Sequence, residues 1–311
     1  MQKIEPKISI VTTIYNSEKY LTEFTDKCIM ALEAISCNNF ELIFVNDASP
    51  DASLNLLLEI KKKIPQITIL DLARNFGHHY ATFAGLQYSK GDYVFLIDCD
   101  LELSPEILEQ FYTIMVQQNA DVVYGYQAIR KGKFVERLFG NIFWKTINRL
   151  SDIEIPENIV TERLMTRKYV DSLLRLGDKN LFLGGMMYWV GHNQIGTPVR
   201  KQLRKEQSSY SLIHRIKLML EAVTSFSTVP LRMLFFLGLI LTSVSFCWAS
   251  YLFIQKILRP DMYLSGYISL VIIIIFLTGT IQMSLGLLGL YLGKVFKQVQ
   301  NRPLYIVKSI Y

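Results

Sequence analysis

Carboxylates that close apolar runs are the groups in this chain best suited to chemistry. In Phe95-Leu-Ile-Asp98-Cys-Asp100-Leu-Glu102 an apolar run ends in two acids spaced two apart, with a third two further on. Hard divalent cations take oxygen ligands, and Mg²⁺ keeps only one or two carboxylates beside substrate phosphates. Two acids in a surface turn are usually just solvated. The apolar run ahead of this pair is what gives it a functional reading. Phe44-Val-Asn46-Asp47-Ala-Ser49-Pro-Asp51 repeats the pattern. Ser49 or Asp51 suits a helix N-cap there, whereas Asp47, at the end of the run, suits a base N–H or a ribose hydroxyl. Tyr15-Asn16-Ser-Glu18 follows a third run and is uninformative alone. His78 and His79 are neighbours, so on a helix they point about 100° apart and do not share a metal. They read as helix-start residues near the site.

The first half of the chain alternates in a way that would position these groups. Strand-like runs fall at Ile8–Ile14, Phe40–Asn46, Ile67–Asp71, Tyr93–Asp98 and Asp121–Tyr124, with helix-like stretches near 18–36, 52–63, 78–89 and 104–118. That order predicts βαβ units and a mostly parallel sheet with helices on both faces. Ligands of such sheets sit beyond the C-terminal strand ends, which places Asp47 and Asp98 at the mouth of one crevice.

The 311 residues suffice for one full-sized domain and an appendage. Half are hydrophobic and 19% are charged, against about 25% in soluble proteins. With a mean hydropathy of +0.24, this excludes a disordered or fibrous chain and a highly charged nucleic-acid binder. The four cysteines show no CxxC, which fits a reducing compartment without disulfides or structural zinc. Met1-Gln-Lys-Ile-Glu-Pro6 leading straight into the Ile8–Ile14 run is not expected to act as a signal peptide. Two uncharged runs, Met233–Ile254 and Tyr267–Gly293, exceed the roughly 20 residues that cross a bilayer. Their outer flanks carry Arg215, Lys217, Arg232, Lys294, Lys297, Arg302 and Lys308, against Lys256 and Arg259 between them. This predicts both flanks, and the N-terminal domain, inside. The periodic stretch 209–228 suits a membrane surface. So does 134–150, with packing against the sheet as the alternative for both.

Taken together, the three motifs resemble the nucleotide-sugar half of a family 2 glycosyltransferase. Ala73-Arg74-Asn75-Phe76-Gly77, Ala84-Gly85-Leu86, Asn148–Asp152, Arg163-Leu-Met, Thr224–Arg232 and Asn301–Tyr305 are similar to segments of its polyprenyl-phosphate branch. That group includes dolichol-phosphate mannose synthase and the bactoprenol glucosyltransferases. The resemblance implies a GT-A fold, Rossmann-like with a mostly parallel α/β sheet, followed by two transmembrane helices. Its boundaries here would be 1–208 for the cytoplasmic catalytic domain, 209–232 for an interfacial helix and 233–311 for the spans and a cytoplasmic tail. It implies Mg²⁺ or Mn²⁺ on Asp98, Asp100 and Glu102, with Asp98, Asp100 and Arg163 as the catalytic set. Nucleotide-sugar contacts fall on Tyr15, Asn16, Glu18, Asp47, Asp98 and Arg74, and acceptor-phosphate contacts on Arg130, Arg137 and Arg204.

The implied reaction is inverting transfer from a nucleoside diphosphate sugar, expected to be a UDP-sugar, to a polyprenyl phosphate at the bacterial inner membrane. Undecaprenyl phosphate is the expected lipid. Self-association is expected, and nucleic acid is not a partner. The alternatives are another lipid or lipid-linked saccharide acceptor, or a catalytically silent scaffold. The chain departs from the family at the GDFRL segment, which reads Val160-Thr161-Glu162-Arg163-Leu164. Thr161 cannot take a proton at neutral pH, and Glu162 can only if it points inward. A phosphomonoester acceptor is largely ionised, with a second pKa near 6, and needs orientation more than a base. The missing Asp therefore favours a lipid phosphate.

Overall fold

In a computed structural model of the chain, residues 6–127, 156, 158–201, 229–258 and 267–311 are described. Arg130, Arg137, Arg204 and the stretches 134–150 and 209–228 lie outside the described residues. The chain divides into two units. The first comprises Met1–Trp144, Ile153–Ser211 and Asn301–Tyr311, and the second Lys145–Asp152 and Leu212–Gln300.

The first unit is built on β1 (Ile8–Ile14), α1 (Glu18–Ala34), β2 (Phe40–Asn46), α2 (Ser53–Lys63), β3 (Ile67–Leu72), α3 (His78–Tyr88), β4 (Tyr93–Leu96), α4 (Ile107–Gln118) and β5 (Val122–Tyr126). It continues through β6 (Ile159–Thr166), α5 (Arg167–Leu174), α6 (Leu183–Trp189) and β7 (Gln194–Pro198), and β8 (Val307–Ile310) completes it. The eight strands form one sheet in the order β7-β5-β6-β4-β1-β2-β3-β8. β4, β1, β2 and β3 run parallel, as the alternation predicts. β6 lies antiparallel between β4 and β5, and β8 antiparallel on β3.

The parallel strands read as unbroken apolar runs because helices cover both of their faces. On α1, Leu21, Phe24, Cys28, Ala31 and Leu32 are buried, a spacing of three and four that lays one stripe on the sheet. On the other face α3 approaches so closely that a Cβ on Gly85 would overlap Val11 and stand 3.0 Å from Val45 Cγ2. That proximity brings the start of α3 to the strand ends.

The last residues, read from sequence as the tail of a membrane unit, belong to the first unit. Ile69 and Tyr311 exchange two backbone hydrogen bonds of 3.0 Å, and the Ala73 amide donates to the Ile306 carbonyl at 2.9 Å.

The second unit contains two long helices, α7 (Val229–Leu258) and α8 (Tyr267–Gln300). They contain the two uncharged runs. Among the described residues one segment, Phe276–Gln300, is long and apolar enough to cross a membrane by length and composition. Of the two spans that the sequence predicts, the described residues thus bear out one candidate. Large side chains along α8, among them Leu285, Leu288, Leu292 and Phe296, are exposed.

Candidate active site

The acid-bearing turns at the ends of β1, β2 and β4 are held together by hydrogen bonds of their own. Asp51 unites the first two. Its Oδ2 accepts from the Glu18 amide at 3.1 Å, and its Oδ1 from Ser49 Oγ at 2.6 Å and the Ser53 amide at 3.2 Å. Burial would raise its pKa, but these bonds prevail and hold it at about 2. Glu18 reciprocates, its Oε2 accepting from the Ala52 amide at 3.3 Å. Asp51 and Glu18 thus each bind the opening backbone of the other's helix. The Asn16 amide donates to Ser49 Oγ at 2.8 Å. Tyr15 stands half-exposed above this turn.

Asp47 is buried, and each of its oxygens accepts a backbone hydrogen bond. Oδ1 accepts from the Phe76 amide at 2.7 Å and Oδ2 from the Gly77 amide at 2.9 Å. These bonds tie the nucleoside-contact candidate of the sequence to the Arg74–Gly77 loop. Gly77 has φ +102, a conformation L side chains rarely adopt. Arg74 lies over the Phe76 ring, its guanidinium carbon 4.1 Å from the centroid.

Asp98 follows β4, and Leu101, between Asp100 and Glu102, has φ +58. The left-handed turn lets the Glu102 amide donate to Asp100 Oδ1 at 3.0 Å. Asn16 and Ala48 are also left-handed, so each of the three turns carries one such residue. Backbone strain of this kind concentrates at functional sites. Burial, reinforced by Asp100 and Glu102 and opposed by Lys201, pushes the Asp98 carboxyl up to about 6. Burial pushes the intervening Cys99 thiol to about 12, so it is no thiolate.

His78 Nδ1 lies 3.0 Å from Thr13 Oγ1, and its Nε2 lies 3.8 Å from Asp98 Oδ1. The helix-start reading of this residue is correct, and it borders the acids directly.

Glu162, on β6, points inward and is fully buried. Its Oε1 lies 3.2 Å from Lys201 Nζ, and the same ammonium lies 3.3 Å from Glu102 Oε2. Burial raises the Glu162 pKa against the pull of Lys201. Lys201 is the residue that sequence reasoning missed. It stands in the basic run Arg200–Lys205, where spacing does not distinguish the side chain that turns inward. Arg163 is buried, and its Nε donates to the Thr161 carbonyl at 3.1 Å and its Nη2 to the Val160 carbonyl at 3.3 Å. It lines a cleft of about 190 Å³ with His78, His79, Thr161 and Phe182. A second cleft, of about 300 Å³, is bounded by Glu102, Gln127, Asn158, Thr161 and Lys201.

Among the described residues, no three His, Cys, Asp or Glu side chains form a group that could hold a metal ion by themselves. The donors at the β4 turn are all oxygens. They suit a hard divalent cation that draws its other ligands from a bound diphosphate.

A mostly parallel sheet with these acids at its C-terminal strand ends is an arrangement that suits a nucleotide-binding enzyme. Residues 9–174 match the model of glycosyl transferase family 2, and the chain belongs to that family. It is 37% identical to a glycosyltransferase of Mycobacterium tuberculosis, over 98% of this chain and 88% of the relative. It is 34% identical to the SfII prophage-derived bactoprenol glucosyl transferase of Shigella flexneri, over 97% and 98%. A prophage bactoprenol glucosyl transferase homolog of Escherichia coli K12 is 32% identical, over 98% and 99%. Among solved structures, a Pyrobaculum calidifontis mannosyltransferase is similar at a TM-score of 0.49 and 16% identity, over 71% of this chain and 64% of that one.

Proposed function

We propose that this glycosyltransferase moves a sugar, with inversion, from a nucleoside diphosphate sugar to a polyprenyl phosphate at the cytoplasmic face of a membrane. The observation that carries the proposal is the β4 turn, where Asp98 and Asp100 stand beside Glu102, which lines a cleft with Thr161 and Lys201. Mg²⁺ or Mn²⁺ bound there would stabilise the departing diphosphate as a Lewis acid. Asp98, Asp100 and Glu102 would hold it, with Tyr15, Asn16, Asp47 and Arg74 near the nucleotide and Asp47 also fixing the Arg74–Gly77 loop. Glu18 contributes by joining the starts of α1 and α2. Arg163, tied to its own strand, shapes the adjoining cleft, and Arg130, Arg137 and Arg204 would meet the acceptor phosphate.

A bactoprenol glucosyl transferase and a homolog of one, both aligned with this chain over nearly their full length, support the lipid acceptor. So does the absence of a free carboxylate at Thr161, because an ionised phosphate needs positioning rather than a base. Glu162 points inward, but it is paired with Lys201. The acceptor is undecaprenyl phosphate in a bacterial inner membrane, and the donor a UDP-sugar.

The fold also bears on membrane topology. β8 joins the sheet of β1–β7, which supports placing those strands on one side of a membrane, with α7 and α8 as the proposed pair of crossings. The proposed organisation is a catalytic unit over 1–208, an interfacial segment over 209–232 and spans near 233–254 and 267–293, with the final strand returned to the catalytic sheet.

The test uses the full chain in detergent with undecaprenyl phosphate, Mg²⁺ or Mn²⁺, and a panel of labelled nucleotide sugars. Label entering the organic phase, and lost with Asp100→Asn, is expected. Nucleotide binding without transfer from any donor would overturn the proposal.

A further inference from the structure

Lys201 shares its ammonium between two carboxylates of different standing. Glu102, 3.3 Å away and partly buried, belongs to the β4 turn and is one of the oxygen donors that suit a cation. Glu162, 3.2 Å away, is buried beneath it on β6. Glu162 Oε2 has no hydrogen-bond partner among the described residues. A buried carboxylate oxygen left in that state is costly and adds little to stability, so a functional reason for its retention is called for. Asp98 lies close enough to be felt by both Lys201 and Glu162. One ammonium therefore balances Asp98, Glu102 and Glu162 together.

We propose that Lys201 is an internal counter-cation that competes with the divalent metal for Glu102, so that the metal enters fully only with a nucleoside diphosphate. The idea rests on the donor reading above. In the metal-free protein the ammonium occupies the side of Glu102 that a metal would need. When metal and diphosphate arrive together, Glu102 exchanges Lys201 for the metal. Glu162 keeps the ammonium in the crevice, and the diphosphate supplies its new anionic partner. Lys201 is thus a positioning residue whose effect on metal binding reverses sign according to whether a diphosphate is present. A residue with a merely structural role would weaken both kinds of binding when removed.

The experiment compares the full-length protein with Lys201→Met, and with the double variant Lys201→Met/Glu162→Gln. The double variant removes both charges and leaves no unpaired buried carboxylate should the single variant fail to fold. Mn²⁺ affinity is read by electron paramagnetic resonance, first with Mn²⁺ alone and then with UDP or GDP. With Mn²⁺ alone, the variants should bind about tenfold tighter, since a competing cation has gone. With Mn²⁺ present, their affinity for the nucleotide should fall by about tenfold or more. Mn²⁺ affinity that is unchanged or weaker in the folded variants would overturn the exchange. Failure of the wild-type protein to bind UDP or GDP at all would instead overturn the donor reading, and the diphosphate half of this proposal with it. The comparison with Mn²⁺ alone still decides the competition in that case.

Discussion

Replacing Asp47 by Asn changes one atom at the junction that fixes the donor loop. Asp47 is 3% exposed, and its two oxygens accept from the Phe76 and Gly77 amides at 2.7 and 2.9 Å. Hydrogen bonds to a charged group contribute about 1.5–3 kcal/mol each. Asn retains one acceptor and turns an NH₂ toward the other amide, so one bond is lost and two donors face each other in a buried site. The cost should be about 3 kcal/mol. For a unit of this size that corresponds to a fall of about 6–12 °C in Tm. If the loop opens alone, Tm holds and UDP affinity falls by roughly a hundredfold. Melting followed by intrinsic fluorescence, paired with titration of UDP in the presence of Mn²⁺, reads both outcomes. A variant with unchanged Tm and unchanged UDP affinity would refute the positioning role.

Three further outcomes are expected. Gly85→Val drives a side chain into Val11 and Val45, and the overpacking should lower stability by about 1–3 kcal/mol; an unchanged melt would mean that α3 sits further from β1 and β2. The Asp51 pKa is held down at about 2 from the ordinary 3.8, so its stabilisation is present above about pH 4 and is lost as pH falls toward 2. Asp51→Asn should flatten that part of an acid-denaturation profile, and a profile identical to wild type would contradict the bonding. Deleting residues 307–311 removes both hydrogen bonds between Ile69 and Tyr311 and bares the β3 edge; Tm should fall, and a full-strength melt would show that the strand is dispensable.

The parallel half of this sheet was legible because its strands are buried on both faces. β1, β2, β3 and β4 announce themselves as apolar runs, and the acids after β1, β2 and β4 mark where the backbone leaves the sheet. β6 hides because Glu162 and Arg163 stand side by side within it, and both are buried, against every alternation rule. β8 is four residues long and pairs with a strand more than two hundred residues earlier, a contact that local pattern does not encode. α6 opens on Leu-Gly-Gly and reads as loop. In the site, the residue types at the β4 turn were legible, whereas partnerships were not. Nothing in the spacing of Asp47 foretells that its oxygens go to Phe76 and Gly77. Nor does the Arg200–Lys205 run show that Lys201 reaches Glu102 and Glu162.

The linkage in the purified product tests the central claim most directly. A sugar carried on a polyprenyl phosphate is an anomeric phosphodiester, with a single ³¹P resonance coupled to the anomeric proton and cleavage by mild acid. The account predicts that signal, with the anomeric configuration opposite to that of the donor. A product stable to mild acid, with its sugar joined through a hydroxyl oxygen and no such coupling, would contradict it.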